Sequence, residues 1–456
     1  MVRTLLVVAF ALIATCGAQS ARAQAFAPCA DADSFPALAG SQCVTVPTPL
    51  EHGGSDDPQS LGLFVRKFPA RGEARGEVWL IAGGPGEPGA SFYPLLETFR
   101  RAFPAYDLVV PDHRGTGYSS RICPAEEAHS SEDAFALGVT EWGPCIGFTF
   151  SNPTRTHAFS VTNAAHDLSG LIGRYRGGGE VHVYAVSYGT QLVLRMLQVA
   201  PPALDSIILD GLVPPDGDPR WDLSHRTQVV DGIGRAYLGP EGIEAYERLL
   251  LMAPSAAWSD RIPGRNLKQF MGTLLDFPSM RGRMRKLVEE LAVGDTATLE
   301  GILADLETLI GTLDDYPQSA SSLPLVMLIS GSENNLRPDL TPETVAAESE
   351  AALFTSPLAG FLAGNPLPLY APDAYWGRSP DKLPPTLVVQ GTLDPKTPFA
   401  GALAHVAALE TSGPVRLAAV EGAPHFVAFV APDCFVRLAS AFVIRGEVAT
   451  RCIEGD

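Results

Sequence analysis

The sequence is short of positive charge, and this limits the partners it can have. Its 456 residues include 33 lysines and arginines against 51 aspartates and glutamates. Because nucleic-acid binding needs clustered Lys and Arg to neutralise phosphates, no nucleic-acid partner is expected. The acidic excess instead favours the attraction of a cationic substrate, such as a free amine.

Long apolar runs, metal-type cysteine spacings and internal repeats are missing as well. No stretch approaches the roughly 20 uninterrupted apolar residues that a membrane-spanning helix needs, so no stable membrane span is expected. No cysteines are spaced as C-x-x-C, which leaves a zinc site with little support.

With 46% apolar residues, the chain should form one large domain with an insertion, or two domains.

The N-terminus has the pattern of an export signal. Arg3 precedes the apolar run "TLLVVAFALIA", and small residues suggest cleavage after Ala23. We therefore expect residues 1–23 to be a signal peptide and the mature chain to be periplasmic or secreted. The stretch ending at Cys16 also loosely resembles a lipid-attachment site, but Thr15 is a poor residue to precede such a cysteine, so a lipoprotein is the less favoured alternative.

Cleavage at that point would leave six cysteines, an even number typical of disulfide-bonded exported proteins. They fall into three couples that are close in sequence, and we expect these couples to be bonded. A mixture of long-range bridges and free thiols is the alternative. The predicted pairs are Cys29–Cys43, Cys123–Cys145 and Cys434–Cys452.

Short apolar runs alternate with helix-like stretches along much of the chain. The inner runs are continuously apolar, as in strands buried on both faces. This order predicts a mostly parallel sheet covered by helices on both faces. The predicted strands are 62–68, 77–82, 106–111, 180–186, 206–211, 386–391 and 415–422.

The alternation stops between about Pro214 and Pro384, where the sequence becomes rich in helix-like segments with proline-rich joints at both ends. We predict a helical cap at 214–384, inserted late in the sheet. The sheet domain would then consist of residues 24–213 and 385–456.

The stretch "AVSYGT" places Ser187 between a predicted strand and a predicted helix. A sharp turn in this setting can expose a serine as a nucleophile, and it needs small residues around the serine. Ala185 replaces the usual first glycine, whereas Gly189 supplies the second. Taken alone this match is weak, and a serine that only caps the following helix is the alternative.

The loop "AGGPGEPGAS" at 82–91 follows an early buried strand and contains four glycines. Its backbone can point N–H groups into a cleft, where they would hold the negative oxygen of a tetrahedral intermediate. A plain Gly/Pro turn is the alternative. The position ahead of the serine favours an oxyanion loop.

Two further loops complete a catalytic pattern. Asp394 follows a predicted strand in "VVQGTLDPKTP", and His425 follows the last long strand in "VEGAPHF". Histidine can accept the hydroxyl proton of Ser187, and a carboxylate can fix its tautomer. Because Ser187, Asp394 and His425 occur in the hydrolase order at strand ends, they predict a catalytic triad.

Several motifs together resemble the tripeptidyl aminopeptidase and proline iminopeptidase branch of the α/β-hydrolases. The resemblance covers roughly residues 60 to 215 and 380 to 455. It implies an α/β-hydrolase fold and an exported serine exopeptidase that acts on peptide N-termini without a cofactor. The motifs are "GGPG" at 83–86, "DHRGTGYS" at 112–119, "SYGT" at 187–190, "LDGLVPPD" at 209–216, "GTLDPKTP" at 391–398 and "GAPH" at 422–425.

The resemblance also assigns site residues. Ser187 matches the nucleophile, Asp394 the triad acid and His425 the triad base. Gly84 and Tyr188 match the positions whose backbone N–H groups form the oxyanion hole.

The chain departs from the family pattern at Ala82, His113 and Ala185, which makes the proline iminopeptidase subtype less secure. None of these changes removes a reacting group. Within "DHRGTGYS", Asp112 and Arg114 are expected to brace the loop beside the site rather than to react.

An exopeptidase also needs an anion for the ammonium of its short peptide substrate. Glu333 in "ISGSENN" is a candidate, against the commoner alternative of a solvated surface glutamate.

Two other functions remain open from the sequence. An esterase, lactonase or amidase acting on a small non-peptide substrate would use the same triad. A catalytically silent binding protein is disfavoured, because competent residues fill all three triad positions.

Overall fold

The computed structural model describes residues 24–53, 59–131, 136–313, 315–316 and 318–455. The predicted signal peptide, with Cys16, lies outside these residues. Within the described segments, no helix combines the length and apolar character needed to cross a bilayer.

Over the described residues, ten strands form a single sheet. They are β1 (Ala27–Pro28), β2 (Gln42–Pro49), β3 (Ser60–Phe68), β4 (Gly76–Ile81), β5 (Tyr106–Pro111), β6 (Glu180–Val186), β7 (Ser206–Asp210), β8 (Thr386–Gly391), β9 (Val415–Val420) and β10 (Arg451–Cys452).

The strands lie in the order β1-β2-β3-β5-β4-β6-β7-β8-β9-β10. The pairs β1–β2, β2–β3 and β3–β5 are antiparallel. All pairs from β5 to β10 are parallel. Parallel strands end at the same edge of the sheet, so the loops after β4, β6, β8 and β9 converge there.

The helices that accompany the sheet have the following bounds. They are α1 (Leu96–Ala102), α2 (Trp142–Ser151), α3 (Pro153–His157), α4 (Val161–Tyr175), α5 (Tyr188–Val199), α6 (Arg226–Met252), α7 (Leu267–Leu274), α8 (Pro278–Arg281), α9 (Met284–Ala292), α10 (Ala297–Leu313), α11 (Leu323–Glu333), α12 (Pro342–Ala351), α13 (Leu358–Ala363), α14 (Phe399–Leu409), α15 (Val427–Val430) and α16 (Pro432–Arg445).

The central strands bury both of their faces. Val183 and Leu209 face one hydrophobic core, which includes apolar residues of α4 and α5. Tyr184 and Ile208 face a second core on the opposite side, formed with α1 and α16. A mostly parallel sheet covered by helices on both faces confirms the predicted fold class.

Helices α6 to α13 lie between β7 and β8, inside the segment that the sequence predicts as a cap. Buried side chains of α6, α7, α9 and α10 form a hydrophobic cluster of their own, which we call the roof cluster; it includes Leu238, Phe270 and Leu287. Helix α11 differs, because its Leu325 and Leu328 belong to the core on the α4 and α5 side. The segment therefore contains two parts that are packed differently.

Three disulfide bonds join the couples that are close in sequence. They tie the start of the described chain to β2, the loop after β5 to α2, and α16 to β10. The pairs are Cys29–Cys43, Cys123–Cys145 and Cys434–Cys452.

Candidate active site

Ser187 occupies the sharp turn between β6 and α5. Its backbone has φ 55° and ψ −127°, a region that a residue with a side chain seldom adopts. Such a conformation costs about 1–3 kcal/mol and persists only where the surroundings impose it. Here the Ser187 N–H donates to the Asp210 carbonyl at 3.0 Å, which ties the turn to the end of β7.

The space around this turn explains which neighbours must be small. A Cβ on Gly189 would lie 2.6 Å from the Ile81 carbonyl oxygen and 2.7 Å from that of Ala82, so no side chain fits there. Ala185 is fully buried within β6, where a methyl group is accommodated. The unusual alanine is thus compatible with the turn, whereas the second glycine is required.

Asp394 and His425 are brought together from the loops after β8 and β9. The Asp394 Oδ2 atom lies 2.8 Å from His425 Nδ1 and also accepts the Thr397 hydroxyl at 2.7 Å. Its Oδ1 accepts the N–H groups of Lys396 and Thr397 at 2.7 and 2.8 Å. Burial alone would raise the pKa of this carboxyl, but the charge and hydrogen bond of His425 together with these donors hold it below its ordinary value.

The same pair alters the histidine. Burial alone would lower the pKa of His425, but the charge and hydrogen bond of Asp394 outweigh burial and raise it above its ordinary value. With Nδ1 bound to Asp394, Nε2 is the ring nitrogen left to exchange a proton with a hydroxyl group. A Cβ on Gly211 would lie 2.7 Å from His425 Cε1, so only glycine allows the ring this position.

Asp210 holds the segment that follows the histidine. Its carboxylate accepts the N–H groups of Val427 and Ala428 at 2.8 and 2.9 Å and the Tyr184 hydroxyl at 2.8 Å. Burial raises its pKa to about 6. Asp210, at the end of β7, thus fixes the backbone that closely follows His425 in the chain.

The two predicted oxyanion residues line the same cavity as Ser187 and His425. Gly84 has φ 106°, and a Cβ there would lie 2.2 Å from the Gly86 nitrogen. Tyr188 is the first residue of α5, where a helical N–H has no acceptor within the helix. Both backbones are therefore suited to offering N–H groups to a ligand oxygen.

Asp112 holds the loop that carries Gly84 in place. This buried carboxylate accepts the Gly89 N–H at 2.7 Å and the Tyr118 N–H at 2.9 Å. It thus joins the glycine-rich loop to the turn after β5, in the bracing position expected from the sequence.

The cavity has a volume of about 550 Å³. It lies between the carboxyl edge of the sheet and the helices inserted between β7 and β8. This size is typical of sites for small ligands.

One carboxylate of this cavity, Glu87, was missed by sequence reasoning. A Cβ built on Gly83 would lie 3.0 Å from Ser187 Cβ and 3.4 Å from Glu87 Oε2. Because both atoms are this close to one point, the distance between Glu87 Oε2 and Ser187 Cβ cannot exceed these two distances added together. Among the described residues its carboxylate has neither a hydrogen-bond donor nor an ion-pair partner. Burial raises its pKa, an effect that His425 and Lys396 partly offset.

Glu333 also borders the cavity, but its surroundings differ from both expectations. It is buried rather than solvated, with 4% of its surface exposed. Its carboxylate binds Arg195 Nη2 at 2.9 Å and accepts the Tyr370 hydroxyl at 2.8 Å. Both of its carboxylate oxygens are therefore bound by protein partners, and Arg195 also pairs with Asp216 and Asp373.

No group of three or more His, Cys, Asp or Glu side chains in the described segments could hold a metal ion.

Two family models match the chain. One described as alpha/beta hydrolase fold matches residues 78–239, and one described as TAP-like protein matches residues 367–452. Together with the sheet topology, these matches show that the protein has the α/β-hydrolase fold.

Two curated relatives have different extents of similarity. The putative hydrolase YuaR of Escherichia coli (strain K12) is 30% identical over 159 residues, which span 33% of this chain and 31% of that protein. The serine protease Hip1 of Mycobacterium tuberculosis is 23% identical over 89% of this chain and 86% of its own length.

Among solved structures, a thermophilic esterase from Thermogutta terrifontis covers 89% of this chain and 98% of its own, with 16% identity and a TM-score of 0.39. A laboratory-evolved variant of potato epoxide hydrolase covers 84% and 96%, also with 16% identity and a TM-score of 0.39.

Proposed function

We propose that this protein of α/β-hydrolase fold is an exported serine aminopeptidase, which hydrolyses short peptides from the N-terminus through an acyl-enzyme on Ser187. The observation that carries the proposal is the grouping of Ser187, on its strained turn, with the paired His425 and Asp394 around one roofed cavity. The TAP-like segment and the similarity to a protein described as a serine protease support a peptidase.

The proposed reaction uses the site residues in sequence. Ser187 Oγ attacks the scissile carbonyl while His425 Nε2 accepts its proton, and Asp394 stabilises the resulting imidazolium. The N–H groups of Gly84 and Tyr188 hold the oxyanion. His425 then gives the proton to the leaving amine, and a water that it deprotonates releases the acyl group from Ser187.

Specificity for free N-termini follows from Glu87. An unpaired carboxylate close to Ser187 is placed to bind the ammonium of a substrate whose first carbonyls reach the serine. The helices over the cavity would exclude folded proteins and admit short peptides. Three disulfides are in line with export, since such bonds persist in oxidising compartments.

A substrate panel tests this proposal. We expect peptide p-nitroanilides with a free N-terminus to be cleaved at least about tenfold faster than their N-acetylated forms, because a charge-assisted hydrogen bond to Glu87 is lost on acetylation. Ser187→Ala should lower kcat by at least about 10³-fold. Ser440→Ala, on the outer helix α16, is the matched control and should retain activity.

Glu87→Gln separates the binding of the ammonium from the chemistry. It should raise KM for free-amine peptides about 10- to 100-fold and abolish the preference over acetylated peptides. Glu97→Gln, which removes an exposed carboxylate of α1, is the control. Equal cleavage of free and blocked peptides would exclude an aminopeptidase; cleavage of esters alone would indicate an esterase, and no reaction with substrates or a fluorophosphonate would indicate a binding protein.

A further inference from the structure

Arg226 is a buried cation on the wall of the active-site cavity. It is the first residue of α6, lines the cavity, and has only 6% of its surface exposed. Its Nε atom is buried without a hydrogen-bond partner. Within the described parts of the chain, no acceptor or carboxylate lies at bonding distance from its guanidinium.

The acidic side chains nearest to Arg226 are bound elsewhere. Asp394, Asp276 and Asp222 interact with it through their charge, but none forms a hydrogen bond to it. Each has a closer partner: Asp394 binds His425 at 2.8 Å, Asp276 pairs with Lys396 at 3.0 Å, and Asp222 accepts the Leu336 N–H at 2.7 Å.

This arrangement is costly for the protein alone. A buried guanidinium without a hydrogen-bonded partner pays a desolvation penalty, and the positive end of the α6 dipole adds repulsion at its N-terminus. Burial lowers the pKa of Arg226 to about 10, so the side chain remains charged at neutral pH. An anionic ligand in the cavity would remove both costs.

We infer that Arg226 binds a carboxylate on the leaving portion of the peptide substrate, supplied by the C-terminus of a short peptide or by an acidic side chain. The planar guanidinium fork matches a carboxylate, which it can bind through two parallel hydrogen bonds. Arg226 lines the same cavity as His425, the residue that gives the leaving amine its proton, and both interact with the charge of Asp394. This inference rests on the proposed function.

Glu87 and Arg226 together would orient a zwitterionic peptide. The peptide ammonium would bind the Glu87 carboxylate near Ser187, and the carboxylate in the leaving portion of the peptide would bind the Arg226 guanidinium. A peptide bound in the reverse direction would place like charges together. The pair thus selects the direction in which the substrate binds.

The test compares one peptide as the free acid, as the C-terminal amide, and as the amide with an acidic residue in the leaving portion. We expect the wild type to have a kcat/KM about 10- to 100-fold higher for the free acid, for the acidic amide, or for both than for the plain amide, mainly through KM. Arg226→Gln should bring this ratio close to one, and Arg226→Lys should restore part of it. Arg235→Gln on the same helix, where the arginine already pairs with Asp231, should keep the wild-type ratio.

The three peptides also identify the source of the carboxylate. Preference for the acidic amide over the free acid would assign the subsite to a side chain, and the opposite preference would assign it to the C-terminus. A wild-type enzyme that cleaves neither the free acid nor the acidic amide faster than the plain amide would overturn the inference while leaving the aminopeptidase proposal standing.

Binding to Ser187→Ala, measured by titration calorimetry with all three peptides, gives a readout without turnover. Tighter binding of the free acid or of the acidic amide than of the plain amide supports the subsite even if no peptide is cleaved, whereas equal binding of all three overturns it. These measurements do not require the Arg226→Gln variant to fold.

Discussion

At the scale of single residues, His425 is controlled by opposing effects. Burial favours the neutral ring, while the buried Asp394 favours the imidazolium and prevails. Asp394 can exert this effect because Lys396, Thr397 and Gln390 donate to its oxygens and keep it ionised. The proposed triad is therefore supported by a set of donors that its three members do not supply themselves.

The pH dependence of the rate should reflect this balance. His425 must be neutral to accept a proton, so kcat/KM should fall on the acid side of a pKa above the ordinary value of about 6.5. Asp394→Asn removes the effect that offsets burial, so the acid limb should move to lower pH while kcat falls about 10⁴-fold. A p-nitrophenyl ester substrate avoids the titration of the peptide amine; an acid limb that stayed in place in the variant would contradict this account.

At the scale of elements, the site depends on how closely the β6–α5 turn approaches the end of β4. Gly189 faces the carbonyl groups of Ile81 and Ala82 at distances that no side chain tolerates. The turn that carries Ser187 and the glycine-rich loop after β4 are thus held against each other by backbone contact. A change in this contact should move Ser187 relative to Gly84.

Gly189→Ala should therefore lower kcat/KM by at least about 100-fold and destabilise the protein by about 1–3 kcal/mol through overpacking. The matched control is Gly170→Ala in α4, where a Cβ meets nothing within 4 Å. That substitution should leave activity intact and increase stability slightly, since alanine is the better helix former. Thermal unfolding and kinetics of both variants check the prediction, and an active Gly189→Ala enzyme would refute it.

The elements also show what the sequence could and could not predict. The inner strands β5, β6 and β8 have their predicted bounds, because continuous apolar runs mark strands buried on both faces. Strand β2 was missed, since Pro47 and Pro49 argue against a strand; both prolines are exposed near the edge of the sheet, where their missing N–H groups are tolerated.

The same distinction applies to the cavity. Ser187, Asp394 and His425 follow strands that the sequence marks clearly, so their meeting at one edge was predictable. Glu87 and Arg226 are unpaired, whereas Glu333 pairs with Arg195. These differences depend on which side chains from segments distant in the sequence lie next to each residue. Local sequence carries no such information.

At the scale of the whole molecule, a buried ion pair links distant segments behind the site. Arg114 Nε and Nη2 bind the two oxygens of Asp167 in α4 at 2.6 and 2.8 Å. The guanidinium also donates to the carbonyls of Leu50 and Ala158, and Asp167 accepts the Thr48 hydroxyl. This network connects the end of β2, the loop after β5 and α4.

Arg114→Met should destabilise the protein by about 3–5 kcal/mol at neutral pH, because it leaves Asp167 buried without its guanidinium partner and bound only by His52 and Thr48. In the wild type, Arg114, His52 and Thr48 hold the pKa of Asp167 below its ordinary value despite burial. The pair therefore stabilises the fold above the unfolded-state pKa of about 3.9, and this contribution disappears as the pH falls through the lower folded-state pKa.

In the Arg114→Met variant, burial raises the pKa of Asp167. This residue is therefore protonated at a higher pH than in the wild type, and protonation removes the free-energy cost of burying its charge. The difference between the two proteins should hence be largest near pH 7 and shrink towards pH 4 in urea unfolding. Arg71→Met, at an exposed pair, should change little. A difference that stayed constant with pH would exclude Asp167 as its origin.

The division of the inserted segment has a consequence for protein engineering. Helices α6, α7, α9 and α10 share the roof cluster, whereas α11 packs into the sheet core, and Ser322, just before it, donates its N–H to the Gly86 carbonyl of the glycine-rich loop. In chimaeras with related enzymes, a recombination point ahead of α11 therefore keeps this contact with the glycine-rich loop. Leu353 and Phe354, which follow α12, also belong to the roof cluster, so an exchange of the cluster as a module must include them as well as the segment that begins at Arg226.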